Sequence, residues 1–240
     1  MSLPLDWLAA SATVAIVLAY EFSLAVARRR RPERMARTAH ANLRGDWFQA
    51  VSAQKGSEVL AVQTLRNALM SASMTASTAA LGLMGTVTIA VPSLHAELGD
   101  AAASLPHFTP RLAMELVLLA LLFASLVASV MAVRYYNHAG FIGGMPVESD
   151  ARRRWTPAGT AYVRKAGILY SWGLRQLVLL APVVAFILHP LAGPIAAALV
   201  TVVLFSFDRF QPTASSEDAV EPKERQAGRE QGQRCRGQGE

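Results

Sequence analysis

Residues 67–91 read NALMSASMTASTAALGLMGTVTIAV, an apolar stretch without a charged side chain. The hydrocarbon core of a bilayer is about 30 Å thick, so a helix rising 1.5 Å per residue needs about 20 mostly apolar residues to cross it. The stretch therefore predicts a transmembrane helix. Alanine, serine, threonine and glycine make up a large share of it.

Four further apolar stretches cover residues 3–27, 112–133, 172–188 and 195–207. The last two are too long for one span when joined, and the sequence HPLAGP between them predicts a turn because prolines do not continue a helix. Pro182 predicts a kink within the fourth stretch. We therefore predict an all-α, polytopic membrane protein with five transmembrane helices. Four spans followed by a re-entrant hairpin remain the alternative.

The placement of basic residues predicts the orientation of these spans, because lysine and arginine in short loops stay on the cytoplasmic side. Nine lie between residues 28 and 66 and seven between residues 134 and 175, whereas the loop over residues 92–110 has none. With the N-terminus outside and the C-terminus inside, 22 of the 23 basic residues fall on one side. We predict a transmembrane domain over residues 1–210 and a disordered, polar cytoplasmic tail over residues 211–240.

Composition excludes several classes of protein. Hydrophobic residues make up 52% of the 240 residues and charged residues 17%, whereas soluble proteins carry about 25% charged residues. The net charge of +6 could by itself indicate nucleic-acid binding, but the charge map explains it as an orientation signal. The run Arg28–Arg31 predicts contact with anionic lipid headgroups, so the expected partner is the lipid bilayer and not nucleic acid. The single cysteine, Cys235, excludes an internal disulfide.

The two basic loops predict two further helices. Asp46 is the expected N-cap of a helix that ends at Leu65. Thr156 is the expected N-cap of a second helix, with Pro157 in its first turn.

Small side chains recur every four residues in the second span, which predicts a helix-packing face. Lipid provides no hydrophobic drive for helix association, so close approach of small residues must provide it. The candidate residues of this face are Ala68, Ala72, Ala76, Ala80, Thr75 and Gly82. A central packing helix, a contact between copies and the lining of a solute pathway are the three interpretations.

The predicted topology also gathers polar side chains at the inner ends of the spans. This candidate inner polar cluster comprises Glu21, Gln63, Arg66, Asn67, Asn137, His138 and Arg175. An ionisable group inside a bilayer is costly unless it is paired, and Arg66 and Arg175 are the candidate partners of Glu21. The cluster fits either a collar of ion pairs that fixes helix register or an inner gate or anion site.

The sequence contains no motif typical of catalysis or cofactor binding. The five histidines show no His-x-x-x-His spacing, and neither Cys-x-x-Cys nor Gly-x-Ser-x-Gly occurs. We therefore predict no catalytic residue, no metal site and no cofactor.

Two motifs resemble those of a known family. They are LAVQTLRN at residues 60–67, followed by the small-residue span, and YYNHAGF at residues 135–141. On these motifs the chain resembles domain-of-unknown-function family five-nine-nine, a family of bacterial and plant membrane proteins, over about residues 28–210. The resemblance implies a multi-helix membrane protein and no enzymatic activity.

The expected function follows from these patterns. Twenty arginines against three lysines are typical of a GC-rich bacterial genome, so we expect an integral protein of the bacterial inner membrane. Its expected role is that of a non-enzymatic structural or assembly subunit, which forms a homo-oligomer or joins a membrane complex through the second span. One alternative is a small transporter or channel with a Ser/Thr-lined second span and an inner polar gate. The other is a membrane-embedded enzyme around His138 and Glu21.

Overall fold

The computed structural model describes residues 3–30, 36–98 and 108–208, and within these ranges every regular element is an α-helix. The helices are α1 (Leu3–Arg30), α2 (Ala36–Ala53), α3 (Glu58–Leu98), α4 (Pro110–Gly143), α5 (Asp150–Val178), α6 (Leu180–Leu188) and α7 (Ala192–Asp208). Four segments are long and apolar enough to cross a membrane, namely Leu5–Ala27, Glu58–His95, Pro110–Gly143 and Asp150–Leu188. The prediction of an all-α fold is thereby confirmed, and the four candidate spans support a multi-pass membrane protein. The predicted tail, residues 211–240, lies outside the described residues.

The central helix of the bundle is α4, which packs against α3 on one side and α5 on the other, while α2 covers α5. Helices α3 and α4 run antiparallel and extend beyond the predicted spans. The core between them is a cluster of buried residues. It contains Phe48, Leu65, Ala72, Ala132, Tyr136, Ala139, Ile142, Val163 and Ala166.

A second core lies near the beginning of α4, where α1 and α6 pack against it. It is formed by Ala9, Ala10, Met114, Val183 and Phe186. α1 and α4 contribute residues near their N-terminal ends to this core, and α6 contributes residues near its C-terminal end. The predicted topology places these three helix ends on the same, outer side of the membrane.

The predicted hairpin at HPLAGP forms, because α6 ends at Leu188 and α7 begins at Ala192. α7 packs against α6 and α1, and Gly193 lies close to Thr13 of α1. α7 has 17 residues, fewer than any of the four segments above. Five spans, rather than four and a re-entrant hairpin, stay a prediction, as does the orientation.

The predicted helix over residues 46–65 is wrong, because residues 54–57 form a turn between α2 and α3. Gly56 has φ +83°, a left-handed conformation that glycine adopts without a steric penalty. The Ser57 hydroxyl lies 2.6 Å from the carbonyl oxygens of Val51 and Gln54, which share its one proton, and so closes the end of α2. Asp46 lies inside α2 rather than at its N-cap.

The prediction of a helix starting at Thr156 is also wrong, because α5 begins at Asp150. Ser149 is its N-cap, and the side chain of Ser149 accepts a hydrogen bond from the Arg152 N–H at 3.2 Å. Pro157 therefore lies inside the helix rather than in its first turn.

The helix of the fourth stretch is interrupted at Leu179, between α5 and α6. Pro182 has no N–H to donate to the carbonyl four residues earlier, so the helix is weakest just before it. The interruption therefore lies where the predicted kink is expected.

Candidate functional site

One arginine joins three helices at the end of the bundle where α7 finishes. Arg175 on α5 is only 6% exposed. Its Nε donates to Glu21 Oε1 of α1 at 2.6 Å, and its Nη1 donates to Asp208 Oδ2 of α7 at 2.9 Å. Hydrogen bonds between ionised groups are about twice as strong as neutral ones, so this Arg175 junction fixes α1, α5 and α7 relative to one another.

Tyr20 completes the Arg175 junction. Its hydroxyl donates to Asp208, and its ring centroid lies 4.9 Å from the guanidinium carbon, in the range of a cation–π contact. Arg175 Nη2 has no hydrogen-bond partner among the described residues. Sequence reasoning misses Tyr20 and Asp208, although Asp208 is the first charged residue after the last apolar stretch.

Four members of the candidate inner polar cluster lie in two separate places. Glu21 and Arg175 meet in the Arg175 junction, so Arg175 is the one of the two candidate partners that Glu21 contacts. Arg66 and Asn137 lie together in a groove between α3 and α4. The remaining members, which are exposed, are Gln63, Asn67 and His138.

The α3–α4 groove has a volume of about 340 Å³. Its lining residues are Val62, Leu65, Arg66, Leu69, Tyr136, Asn137, Gly140 and Phe141. Arg66 and Asn137 are exposed, and the part of the chain that the structure describes provides neither side chain with a hydrogen bond or an ion pair. The groove therefore offers free N–H donors beside apolar walls.

Sequence reasoning does not identify a second buried arginine, Arg152, which is 1% exposed. Its Nη1 donates to the Ile142 carbonyl oxygen and its Nη2 to Ser52 Oγ at 2.9 Å. Its guanidinium carbon lies 5.3 Å from the centroid of the Phe48 ring. Arg152 thus ties α5 to α4 and α2, while the arginines that follow it, at 153 and 154, are exposed.

A buried carboxylate lies near the opposite end of α4. Glu115 is 1% exposed, and its Oε1 accepts a hydrogen bond from Arg111 Nε at 3.1 Å. Its second oxygen has no partner within the described ranges. Because Arg111 is exposed, this pair reaches from the second core to the surface.

The predicted helix-packing face contributes mainly to the contact with α4. Ala72 and Thr75 are buried, and a Cβ added to Gly82 would lie 2.9 Å from Leu122 Cδ2 of α4. The half-buried members at the edges of this contact are Ala68, Ala76 and Ala80. The small residues therefore let α3 and α4 approach closely.

The surface of α3 beside the contact with α4 is exposed over part of the helix, and we term this exposed strip the open face. Ser71, Thr78 and Gly85 follow one another there at intervals of seven residues, beside exposed Met74 and Leu81. The Ser71 and Thr78 hydroxyls donate to carbonyl oxygens one turn earlier, at 3.1 and 3.0 Å. Their hydrogen bonds are thus satisfied within α3.

No group of three or more His, Cys, Asp and Glu side chains that could hold a metal ion occurs in the three described ranges. The side chains of the Arg175 junction and the α3–α4 groove provide guanidinium, carboxylate, amide and phenol groups.

The family model of DUF599, described as protein of unknown function, matches residues 8–213. The match reaches from α1 past the end of α7 and includes both sequence motifs. No curated protein and no solved structure matches the chain. Because the matched region covers well over half of the chain, this protein belongs to the DUF599 family of proteins of unknown function.

Proposed function

We propose that this protein is a non-enzymatic assembly subunit of the bacterial inner membrane, whose copies associate through the open face of α3. The observation that carries the proposal is the difference between two exposed helix surfaces of the same chain, those of α3 and α7. The expected partners are thus the lipid bilayer and further copies of the chain.

The exposed side of α7 has the composition that lipid contact favours. Most of its exposed side chains are large and apolar, and they include Ile195, Leu199, Val202, Val203 and Phe207. The open face of α3 instead presents two hydroxyls and a glycine in a line. Helix contacts in membranes are enriched in small residues of this kind, because these residues let two backbones approach closely.

The spacing on the open face suits a second helix. Seven residues correspond to about two turns, so Ser71, Thr78 and Gly85 form a shallow line flanked by the larger Met74 and Leu81. Two such faces can interlock when the helices cross at about 20°, which is the common angle in membrane bundles. The satisfied hydroxyls enter this contact without leaving an unpaired polar group.

The alternative function is that of a transporter or channel lined by the same hydroxyls. Within one chain, Ser71, Thr78 and Thr88 are exposed and bonded to carbonyl oxygens of their own helix. A pathway lined by them requires several copies arranged around it. Association of copies is therefore the first property to test for both functions.

Oxidative cross-linking in bilayers tests the association. In a Cys235→Ser background reconstituted into phosphatidylcholine, we expect Thr78→Cys to form disulfide-linked dimers. The matched control is Val202→Cys, also exposed but on α7, which we expect to cross-link much less. Adding Gly85→Leu to the Thr78→Cys chain should lower cross-linking about fivefold or more, because leucine fills the line of small residues.

We expect Gly85→Leu to leave the fold of the single chain intact, because Gly85 is exposed and a Cβ there meets no atom within 4 Å. Equal cross-linking of the Thr78→Cys and Val202→Cys chains would overturn the proposal, because it would show random collision. Unchanged cross-linking in the presence of Gly85→Leu would overturn it as well.

A further inference from the structure

The α3–α4 groove has the dimensions and chemistry of a small binding site. Its volume of about 340 Å³ lies in the range of small-molecule pockets, about 300–1,000 Å³. Val62, Leu65 and Leu69 of α3 make one wall apolar, and Phe141 of α4, 76% exposed, forms an apolar edge. A wholly polar ligand would leave these walls without a partner.

The polar groups of the groove include one positive charge, on Arg66, and several hydrogen-bond donors. The Arg66 guanidinium has five N–H groups and the Asn137 amide has two. Two carboxylates at the same end of the helices are engaged elsewhere. Glu58 accepts a backbone N–H at 3.1 Å, and Glu148 pairs with Lys55 at 2.8 Å. Arg66 therefore lacks a counter-ion among the described residues.

The position of the groove along α3 relates it to the membrane surface. Arg66 immediately precedes the uncharged stretch 67–91, so its guanidinium lies where the predicted span begins. Leu69 lies about one turn further into the predicted span. A basic side chain at this depth is placed to meet lipid headgroups, and the apolar wall beyond it meets acyl chains.

We propose that the α3–α4 groove binds an anionic phospholipid. Its phosphate accepts hydrogen bonds from Arg66 and Asn137, and its acyl chain lies against Leu69. The apolar walls favour a lipid over free phosphate, because free phosphate would use only the donors. The site is distinct from the open face of α3, so this proposal and the association of copies stand or fall separately.

Native mass spectrometry of the full chain in mild detergent, titrated with phosphatidylglycerol or phosphatidylcholine, tests the site. We expect the first phosphatidylglycerol to bind more tightly than phosphatidylcholine. Arg66→Gln should weaken phosphatidylglycerol binding about fivefold, the effect of one basic residue at the headgroup level. Arg154→Gln, which removes the same charge from an exposed position outside the groove, should leave this affinity unchanged.

A steric variant tests the groove independently of charge. A Cβ added to Gly140 meets nothing within 4 Å, so Gly140→Leu can fold while its side chain fills the groove. We expect it to weaken phosphatidylglycerol binding at least as much as Arg66→Gln does. Gly140→Ala adds only the Cβ and should retain the affinity.

Three outcomes would overturn the proposal. Equal losses from Arg66→Gln and Arg154→Gln would show that diffuse surface charge holds the lipid. Unchanged binding to Gly140→Leu would place the lipid elsewhere. Displacement of phosphatidylglycerol by inorganic phosphate at equal concentration would show that the acyl chain contributes nothing. Retained binding in the presence of phosphate, with losses confined to the groove variants, is the expected result.

Discussion

Replacing Arg175 by methionine tests whether the Arg175 junction holds α1, α5 and α7 together. Methionine keeps much of the length and apolar contact of the arginine stem but removes the cation. Glu21 and Asp208, which both contact the guanidinium, are then left with no charge to balance them. We therefore expect Arg175→Met to lower the free energy of unfolding.

The magnitude depends on how much water reaches the two carboxylates. Removing one partner of a buried ion pair costs about 3–5 kcal/mol when the remaining charge stays buried. The side chains of Glu21 and Asp208 are 31% and 21% exposed, so water offsets part of this cost and we expect about 2–3 kcal/mol. Glu21→Gln or Asp208→Asn leaves Arg175 with one carboxylate and should cost about 1–2 kcal/mol.

The assay is unfolding of the purified chain in mixed micelles by titration with sodium dodecyl sulfate, followed by circular dichroism. The matched control is Arg153→Met on the same helix, because Arg153 is 70% exposed and lies 3.7 Å from Asp150. Exposed pairs of this kind contribute little, so we expect a change below about 0.5 kcal/mol.

A double-mutant cycle then isolates the contact itself. Arg175→Met combined with Glu21→Gln should cost less than the sum of the two single changes, by about 1 kcal/mol or more, because the second change removes a charge that the first left unbalanced. Additive losses, or a loss for Arg175→Met no larger than that of Arg153→Met, would refute the reasoning.

Two further predictions concern glycines and use the same titration. Gly159→Ala should lower the free energy of unfolding by about 1–2 kcal/mol, because its Cβ would lie 2.5 Å from Cε1 of the fully buried Phe48 ring. Gly140→Ala places its Cβ in open space and should leave the free energy of unfolding unchanged or raise it by up to about 1 kcal/mol. Equal effects of the two would contradict the packing argument. Gly56→Ala should cost about 1 kcal/mol, since alanine disfavours the left-handed backbone at φ +83°, and Gly56→Asn should cost less; an unchanged stability of Gly56→Ala would contradict this.

The apolar helices and the hairpin could be predicted because their signals are local in the sequence. A run of about 20 apolar residues and a pair of prolines each act on their own segment. The C-terminal end of α2 and the N-terminal end of α5 could not be predicted in this way. They depend on the Gly56 conformation and on the Ser149 cap, which compete with other signals nearby at Asp46 and Thr156.

The contacts of the site depend on packing and were therefore harder to predict. Asp208 reaches Arg175 only because α7 returns beside α1. Arg152 is buried, whereas the two arginines that follow it are exposed. Successive residues point about 100° apart on a helix, so the positions of α2 and α4 decide which of them is covered. The small residues of α3 predict that the helix packs closely against a neighbour. Because small residues occur on every side of α3, the sequence does not indicate which side faces α4.

The helices of this protein differ greatly in length, and this difference has a consequence for the surrounding lipid. The apolar part of α4, residues 112–133, is about 33 Å long, whereas the whole of α7, 17 residues, is about 26 Å long. A bilayer of uniform thickness cannot match both, so lipids beside α7 must compress if that helix spans upright. The resulting hydrophobic mismatch affects only the lipids beside α7. It would draw short-chain lipids to the α7 side and favour residence of the protein in thin regions of the membrane.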